Sequence, residues 1–283
     1  MIAQSCSLYP YNHLTVQFFR YNIIMAKARL DVLLFERGLV ESRSLAQRLV
    51  MAGQVRVNGQ VIIKPSTNVS PDAQIEINLG PPYVSRGGEK LAAALQAFGL
   101  PVEGKICADI GASTGGFTDC LLQNGAARVY AIDVGKGILH WKLRQDSRVM
   151  VMEETNARYV ERLPETIHLV TIDASFISLK ILLPVVKGWL IAQGSGGDVV
   201  ALIKPQFEAG RAEVNRGDGV IRDPEIHQQV LMDILCFAQV QGYGVHGWIR
   251  SPLLGPKGNT EFLAWLSYPD DGTISTINIS GGQ

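Results

Sequence analysis

The stretch ICADIGASTGGFT, residues 106–118, decides the fold of this chain. An apolar run, Ile106–Ile110, leads directly into a glycine-rich turn, and helix-forming sequence follows. Glycines allow the backbone to approach a ligand closely, and the free N–H groups at a helix start can receive polar atoms. The pattern therefore predicts a strand, a tight ligand-binding turn and a helix.

Two carboxylates flank this turn. Asp109 lies just before it, and Asp133 ends the next apolar run, VYAID. A carboxylate at the end of that second strand can accept both hydroxyls of a ribose. The glycine spacing differs from the dinucleotide fingerprint, and the chain lacks the Lys-Ser/Thr pair of nucleoside triphosphatases. The sequence thus predicts a nucleoside-type cofactor, S-adenosylmethionine, over the alternative of a tight turn without a ligand.

Apolar strands recur after the linker signal Gly80-Pro-Pro82, with helical segments between most of them. We expect Ser85 to cap the helix that precedes the first of these strands. This alternation predicts a doubly wound parallel sheet. The last strand follows its predecessor after a short loop that leaves no room for a crossover helix, so we expect it to be antiparallel. The seven predicted strands are Ile106–Ile110, Val129–Asp133, Val149–Glu153, Leu169–Asp173, Val199–Ile203, Gly244–Ile249 and Glu261–Ser267.

A small α+β unit precedes this sheet. Ser42 or Ser44 can cap its second helix, and Asn58-Gly59 is a favoured two-residue hairpin turn. Although the whole chain has 26 basic and 26 acidic residues, the segment between Ala26 and Pro65 has seven Lys/Arg and three Asp/Glu, a balance of +4. That balance is enough for a local basic face.

Several arginines are candidates for binding nucleic-acid phosphates, which requires no recognition of base sequence. Arg56 lies between Val55 and Val57, so it should face outward while the valines face inward. A merely soluble surface is the alternative. The candidates are Arg29, Arg43, Arg48, Arg56 and, ahead of the first sheet strand, Arg86.

The cysteines and the termini limit other possibilities. The four cysteines are widely spaced without a metal-ligand pattern, so we expect no metal site and a reducing, cytoplasmic location; Cys107, Cys120 and Cys236 resemble small core residues. No apolar run reaches the roughly 18 residues of a membrane helix. Residues 1–24 lack the pattern of a signal peptide, and we interpret them as a disordered or artefactual extension before Met25.

Four charged residues lie at positions around the predicted sheet that indicate a functional site. Asp173 and Lys204 end parallel strands, where doubly wound sheets bind ligands. Glu261 begins the antiparallel strand at the same edge, and Lys90 lies in the helix before the first strand. We therefore expect the four side chains to meet, although each one alone could be a solvated strand end.

Such a set suits methyl transfer to a ribose hydroxyl. Because a 2′-hydroxyl is a very weak acid, its attack on a sulfonium methyl group requires a base, and a lysine amine can serve. A neighbouring lysine disfavours the charged form of that amine, and carboxylates hold both in position. The chain lacks the residues that other methylation reactions use. The fourth strand ends in Asp173-Ala-Ser-Phe176 without an Asn/Asp-Pro-Pro-aromatic tetrapeptide, and no cysteine is placed as a nucleophile.

The motifs resemble the TlyA family, also called hemolysin A-like rRNA 2′-O-methyltransferases, whose catalytic domain is similar to the FtsJ/RrmJ methyltransferases. The matching segments are Val84–Leu91, Asp109–Thr118, Asp173–Ser178, Ile203–Glu208 and Gly258–Phe262. The resemblance places the family's Lys-Asp-Lys-Glu tetrad on Lys90, Asp173, Lys204 and Glu261. The candidate cofactor ligands are Asp109, Gly111, Ala112, Ser113, Gly115, Gly116, Phe117, Thr118, Asp133, Asn156 and Asp173.

The resemblance also implies the domain plan and the substrate. It implies an S4-type RNA-binding domain over 25–80, a linker over 81–84, a Rossmann-like methyltransferase domain over 85–270 and a tail over 271–283. The implied reaction transfers a methyl group from S-adenosylmethionine to cytidine 2′-hydroxyls of 16S rRNA, 23S rRNA or both, so the implied partner is ribosomal RNA or a ribosomal subunit. The linker departs from the family, because some members carry Arg-x-Trp-Val where this chain has Pro81-Pro-Tyr-Val84. The resemblance therefore does not imply that this linker is coupled to cofactor binding as it is in those members.

Two other functions compete with this prediction. A non-catalytic RNA-binding or ribosome-assembly factor could keep a vestigial cofactor pocket, but the intact tetrad argues against it. A membrane-active haemolysin is disfavoured because the sequence has no membrane segment and no strongly amphipathic basic helix. The sequence leaves open which rRNA and which nucleotide is modified, and whether the protein is a monomer or a weak dimer.

Overall fold

The computed structural model describes residues 26–191, 196–210, 219–270 and 272. The predicted N-terminal extension and nearly all of the predicted tail lie outside these residues. The chain forms two compact units, Met1–Gly80 and Pro81–Gln283, and each is described by itself.

The first unit packs two helices beside short antiparallel strands. β2 lies between β3 and β5 in a three-stranded sheet, and β1 pairs with β4. Apolar side chains from both helices and from the strands form its core. Its elements are β1 (Ala28–Arg29), α1 (Leu30–Glu36), α2 (Arg43–Met51), β2 (Val55–Val57), β3 (Gln60–Ile62), β4 (Asn68–Val69) and β5 (Ile75–Ile77).

Local sequence signals account for this unit. The Ser42 hydroxyl accepts a hydrogen bond from the Leu45 N–H at 3.2 Å, which confirms Ser42 as the cap of α2. Asn58 and Gly59 both have positive φ, 50° and 80°, as the predicted hairpin turn requires. Arg56 is exposed between two buried valines, which confirms the predicted alternation.

The second unit is built on a seven-stranded sheet in the order β11-β12-β10-β9-β6-β7-β8. β12 is antiparallel to both neighbours, and the other pairs are parallel. Its elements are α3 (Gly87–Phe98), β6 (Ile106–Ile110), α4 (Gly116–Gln123), β7 (Arg128–Ile132), α5 (Trp141–Arg144), β8 (Val149–Met152), β9 (Leu169–Ile172), α6 (Leu179–Ile191), β10 (Gly197–Ile203), α7 (Pro205–Glu208), α8 (Pro224–Val240), β11 (Gly244–Arg250) and β12 (Phe262–Tyr268).

Helices cover both faces of this sheet. Side chains of α3, α4 and α5, including Leu91, Leu121 and Leu143, form one core with the strands. Side chains of α6 and α8, including Leu183 and Ile234, form the other core. The predicted α/β architecture with one reversed final strand is therefore confirmed, and the carboxyl ends of the parallel strands meet at one edge.

Two local predictions are wrong. Ser85 was expected to cap α3, but the cap position is Arg86 and no side chain accepts a hydrogen bond there; the Ser85 hydroxyl instead packs against Gly116. Cys236 was expected in the core, but it is exposed on α8, whereas Cys107 and Cys120 are buried. Periodicity alone did not separate Cys236 from its buried neighbour Leu235.

Candidate active site

The glycine-rich turn passes against the end of the neighbouring strand. Gly111 has a φ of +81°, and a Cβ atom there would lie 2.7 Å from the backbone oxygen of Asp173. Gly115 has a φ of +97°, and a Cβ there would collide with Leu143. Two steric requirements, a positive φ and the close approach of neighbouring atoms, therefore explain Gly111 and Gly115.

Replacing Gly111 with alanine should destabilise the protein by more than the cost of a positive φ alone. Gly137 is a matched control, because its φ is +70° but nothing lies within 4 Å of a Cβ atom there. Backbone strain costs about 1–2 kcal/mol in both variants, and overpacking should add about 1–3 kcal/mol in Gly111→Ala. Thermal unfolding of the two variants measures the difference, and equal losses would contradict the close approach.

Asp109 and Thr118 lie beneath the turn and do not line the cleft above it. Both are fully buried. The Asp109 carboxyl accepts hydrogen bonds from the Thr118 hydroxyl at 2.7 Å and the Thr171 hydroxyl at 2.9 Å. Burial raises the pKa of Asp109 to about 7, against the opposing effect of these hydrogen bonds. The two residues thus tie β6 to α4 and to β9.

Asp109 should make the stability of the second unit depend on pH. Because the folded state holds its proton up to about pH 7 while an unfolded Asp releases it near pH 3.8, the free energy of unfolding should fall between these pH values. The loss amounts to about 4 kcal/mol for this one group. Denaturant unfolding at pH 4 and pH 8 measures this effect. The free energy of unfolding of Asp109→Asn, relative to that of the wild type, should be higher at pH 8 than at pH 4. A difference that stays constant with pH would contradict this assignment.

Asp133 and Asn156 line one lobe of the cleft, a cavity of about 280 Å³ beside the turn. The two carboxylate oxygens of Asp133 accept the N–H groups of Ser113 at 2.8 Å and Gly135 at 2.7 Å. These bonds fix the carboxylate and leave lone pairs for a ligand. The Asn156 side-chain oxygen accepts the Arg158 N–H, so its amide group remains a donor. This lobe offers an oriented acceptor and a donor at the ends of β7 and β8.

The other lobe has a volume of about 460 Å³ and brings all four predicted charged residues together. The Lys204 ammonium lies 2.6 Å from the Asp173 carboxylate, and the Lys90 ammonium lies 2.7 Å from the Glu261 carboxylate. The lysine side chains are only 7% and 11% exposed, and Glu261 is fully buried. Lys90 comes from α3, and Glu261 directly precedes β12. The two side chains meet because α3 packs on the sheet and antiparallel β12 begins at the edge where β10 ends.

Other predicted cofactor residues divide between the lobes. Gly111, Ser113 and Asp173 line both of them, which joins the lobes into one cleft. Phe117 is nearly buried and packs toward Gly87 in α3. The described lining of the larger lobe also contains Ala112, Gly116, Phe117 and Arg86, whereas Gly115 lies outside both lobes.

Two polar neighbours of the tetrad were not predicted from the sequence. The Ser175 hydroxyl accepts a hydrogen bond from the Lys204 ammonium at 3.1 Å. The Gln206 amide donates to Glu261 at 3.2 Å, and its own oxygen is buried without a partner among the described residues. Both residues belong to motifs that carried the family resemblance, so their positions next to Asp173 and Lys204 were the available signal.

Phe176 was also missed. Its φ is +63° and its side chain is 90% exposed, although it lines the smaller lobe. Its ring lies 5.0 Å from that of Phe207, which in turn lies 5.7 Å from the Lys204 ammonium. An exposed aromatic ring held in a strained backbone conformation is an indication of function.

The segment Pro81–Val84 is anchored on α4, the helix that follows the glycine-rich turn. The Val84 N–H donates to the Asp119 carboxylate at 2.9 Å, and the Gln123 amide donates to the Pro82 oxygen at 2.9 Å. Tyr83, which stands in place of the family's tryptophan, packs so closely on Gly88 that a Cβ atom there would lie 2.2 Å from its ring. This chain therefore ties its altered linker sequence to the second unit through its own contacts.

The predicted RNA-binding arginines of the first unit are exposed but not all unengaged. Arg29 and Arg43 both bind the buried carboxylate of Asp31, at 3.0 and 3.2 Å. The Arg29 guanidinium is the main reason that the pKa of Asp31 lies far below its usual value. Arg56 donates to the Gly59 oxygen, and Arg48 is exposed. Arg29 and Arg43 are thus brought together, with about half of each side chain still exposed.

Comparisons with known proteins place this geometry in a family. Residues 83–268 match the FtsJ-like methyltransferases, and residues 28–75 match the S4 domain. The chain belongs to the TlyA family of FtsJ-like methyltransferases. It is 44% identical over 253 residues to the 16S/23S rRNA (cytidine-2′-O)-methyltransferase TlyA of Mycobacterium tuberculosis, with 88% of this chain and 93% of that protein covered.

Two further relatives extend the TlyA-family comparison. The candidate rRNA methyltransferase YqxC of Bacillus subtilis is 49% identical, with 87% of this chain and 88% of that protein covered. A solved structure of a candidate hemolysin from Streptococcus thermophilus is 47% identical, with a TM-score of 0.64 and coverage of 87% and 90%. In the described residues, no helix has the length and apolar character to cross a membrane, and no cluster of side chains suits a metal ion.

Proposed function

We propose that this TlyA-family protein transfers a methyl group from S-adenosylmethionine to cytidine 2′-hydroxyls of ribosomal RNA. The observation that carries the proposal is the pair of lysine–carboxylate contacts, Lys204 with Asp173 and Lys90 with Glu261, beside the glycine-rich turn. The relative from Mycobacterium tuberculosis is named for this reaction on 16S and 23S rRNA. We assign residues 25–80 to RNA binding, 81–84 to a linker and 85–270 to catalysis.

The cleft fits the cofactor by its shape and its donor set. The approach at Gly111 leaves a backbone cradle that a side chain would fill. Asp133 offers fixed carboxylate oxygens to ribose hydroxyls, and Asn156 offers an amide donor in the same lobe. When bound, S-adenosylmethionine supplies a methyl carbon carried on a positively charged sulfur.

Lys204 is the group best placed to move the proton. In its neutral form, the Lys204 amine would accept the proton of the 2′-hydroxyl as that oxygen takes up the methyl group that bound S-adenosylmethionine would supply. Asp173, 2.6 Å away, stabilises the ammonium ion that forms, and Ser175 accepts another of its hydrogens. Lys90 and Glu261 line the same lobe as an ion pair, and Gln206 orients Glu261 through its hydrogen bond.

RNA affinity is assigned to exposed arginines of the first unit and to Arg86. Phosphate contacts by Arg48 and Arg56 need no particular base sequence. A methylation target marked by a 2′-hydroxyl is RNA by definition, which agrees with the match of residues 28–75 to the S4 domain.

A map of rRNA 2′-O-methylation in cells with and without this protein tests the proposal. We expect one or a few cytidines to lose their methyl groups when the gene is deleted and to regain them when it is restored. An unchanged map, together with no cofactor binding by calorimetry, would favour an assembly factor with a vestigial pocket. Leakage of liposomes caused by the purified protein would instead revive the haemolysin hypothesis.

A further inference from the structure

A second groove lies on the opposite side of β12 from Glu261. Its volume is about 460 Å³, within the range of small-ligand pockets. Thr260 and Phe262 line it, and these residues adjoin Glu261 on either side along the chain. Because α8 lines the groove, whereas Lys90 comes from α3 on the other face of the sheet, the groove and the tetrad lie near the same end of β12 but open on different faces.

Aromatic rings form the wall of this groove. The indole of Trp248 is half-buried and meets the ring of Phe262 at a centroid distance of 5.7 Å and an angle of 85°. The imidazole of His227 meets the same ring at 6.1 Å and 70°. His227 is held in turn by a 2.8 Å contact with the Ile221 oxygen. Such fixed, partly open rings are suited to stacking a planar ligand.

Two guanidinium groups complete the groove. Arg222 and Arg250 are both exposed, and neither forms an ion pair with a carboxylate of the described residues. The Arg250 guanidinium donates a hydrogen bond to the Thr260 hydroxyl at 3.2 Å. The backbone before Arg222 is fixed, since the Ile221 N–H donates to the buried side chain of Asn259 at 3.0 Å. Of the described residues that line the groove, none is acidic.

We propose that this groove binds one nucleotide of the RNA strand that flanks the methylated cytidine. The base stacks on Trp248, and Arg222 and Arg250 bind the adjoining phosphates. Arginines that form no ion pair within the described part of the chain, set beside aromatic rings, are suited to holding single-stranded RNA. The inference rests on the proposed RNA substrate, and the adjacency to Glu261 places the nucleotide close in sequence to the target.

Fluorine NMR of the full chain labelled with 5-fluorotryptophan tests the groove directly. The chain has four tryptophans, and Trp248→Phe identifies the resonance of Trp248. Titration with a single-stranded hexacytidylate should shift that resonance, whereas the resonance of buried Trp189 should stay in place. A hexamer of the same backbone without bases should bind at least about fivefold more weakly at this site, since stacking contributes that much or more per base.

Arginine variants provide the second arm. Arg250→Gln and Arg222→Gln should each weaken the binding of hexacytidylate about 3- to 10-fold. Each should also lower the slope of log affinity against log salt concentration by about 0.7. Arg162→Gln, a change at an exposed arginine outside the groove, should leave the titration unchanged. A Trp248 resonance that does not move, or moves equally with the base-free hexamer, overturns the inference.

The two proposals fail separately. If deletion of the gene changes the rRNA map but hexacytidylate leaves Trp248 unperturbed, the groove inference alone is wrong. If Trp248 responds to the oligonucleotide while the rRNA map is unchanged, the groove binds RNA and the proposed methylation is wrong.

Discussion

Replacing Lys204 with alanine should lower the rate of methyl transfer to rRNA about 10²- to 10⁴-fold, the usual contribution of a positioned general base. Binding of S-adenosylmethionine, measured by calorimetry, should persist because the glycine-rich turn and Asp133 remain. Full activity in Lys204→Ala would contradict the assigned mechanism.

Lys204→Arg separates the base from its charge. Arginine keeps the positive charge beside Asp173, but its guanidinium does not lose a proton in proteins. We therefore expect this variant to fold, to bind cofactor and to be as inactive as Lys204→Ala. Lys180→Arg is the matched control. Lys180 also contacts a carboxylate, that of Asp233 at 2.6 Å, but it lies on the surface of α6. Activity retained in Lys204→Arg would assign Lys204 an electrostatic role instead.

Replacing Glu261 with alanine should destabilise the second unit by about 3–5 kcal/mol, the cost of removing one partner of a buried ion pair. The change leaves Lys90, whose side chain is only 11% exposed, without its carboxylate, and it also leaves the Gln206 amide without its acceptor. All four tryptophans lie in the second unit, so denaturant unfolding followed by tryptophan fluorescence reports on that unit.

Glu154→Ala is the matched control for Glu261→Ala. Glu154 also contacts a lysine, Lys136 at 2.9 Å, but the two side chains are 63% and 75% exposed. Loss of such a surface pair costs about 0–1 kcal/mol. Equal losses in the two variants would show that the burial of Glu261 contributes nothing.

The sheet was predictable because each of its signals is local. The apolar runs fall within one or two residues of the observed strands, and the short loop after β11 was enough to predict the reversal of β12. Helix starts were predicted less well than strands: Ser42 caps α2 as predicted, but Ser85 does not cap α3. A serine near a helix start signals a cap only where its side chain is not drawn into other packing, here against Gly116.

The candidate site was predictable as a set of residues but not as a network. The ends of the strands placed Asp173 and Lys204 together, because parallel strands share one ligand-binding edge. The pairing of Lys90 with Glu261, 171 positions apart, follows from how α3 packs on the sheet. The groove at Trp248 was not predicted, since its rings come from α8, β11 and β12 and no local motif joins them.

The sequence by itself determined the strand–turn–helix around residues 106–118, the family, and the identity of the four charged residues, because each rests on local pattern or short motifs. Tertiary structure alone decided that Asp109 is buried with a raised pKa, that Arg29 and Arg43 share the carboxylate of Asp31, and that each lysine has its own carboxylate. The reason is physical. Burial and ion pairing depend on which distant segments pack against each other, and the local pattern of a chain does not specify those contacts one by one.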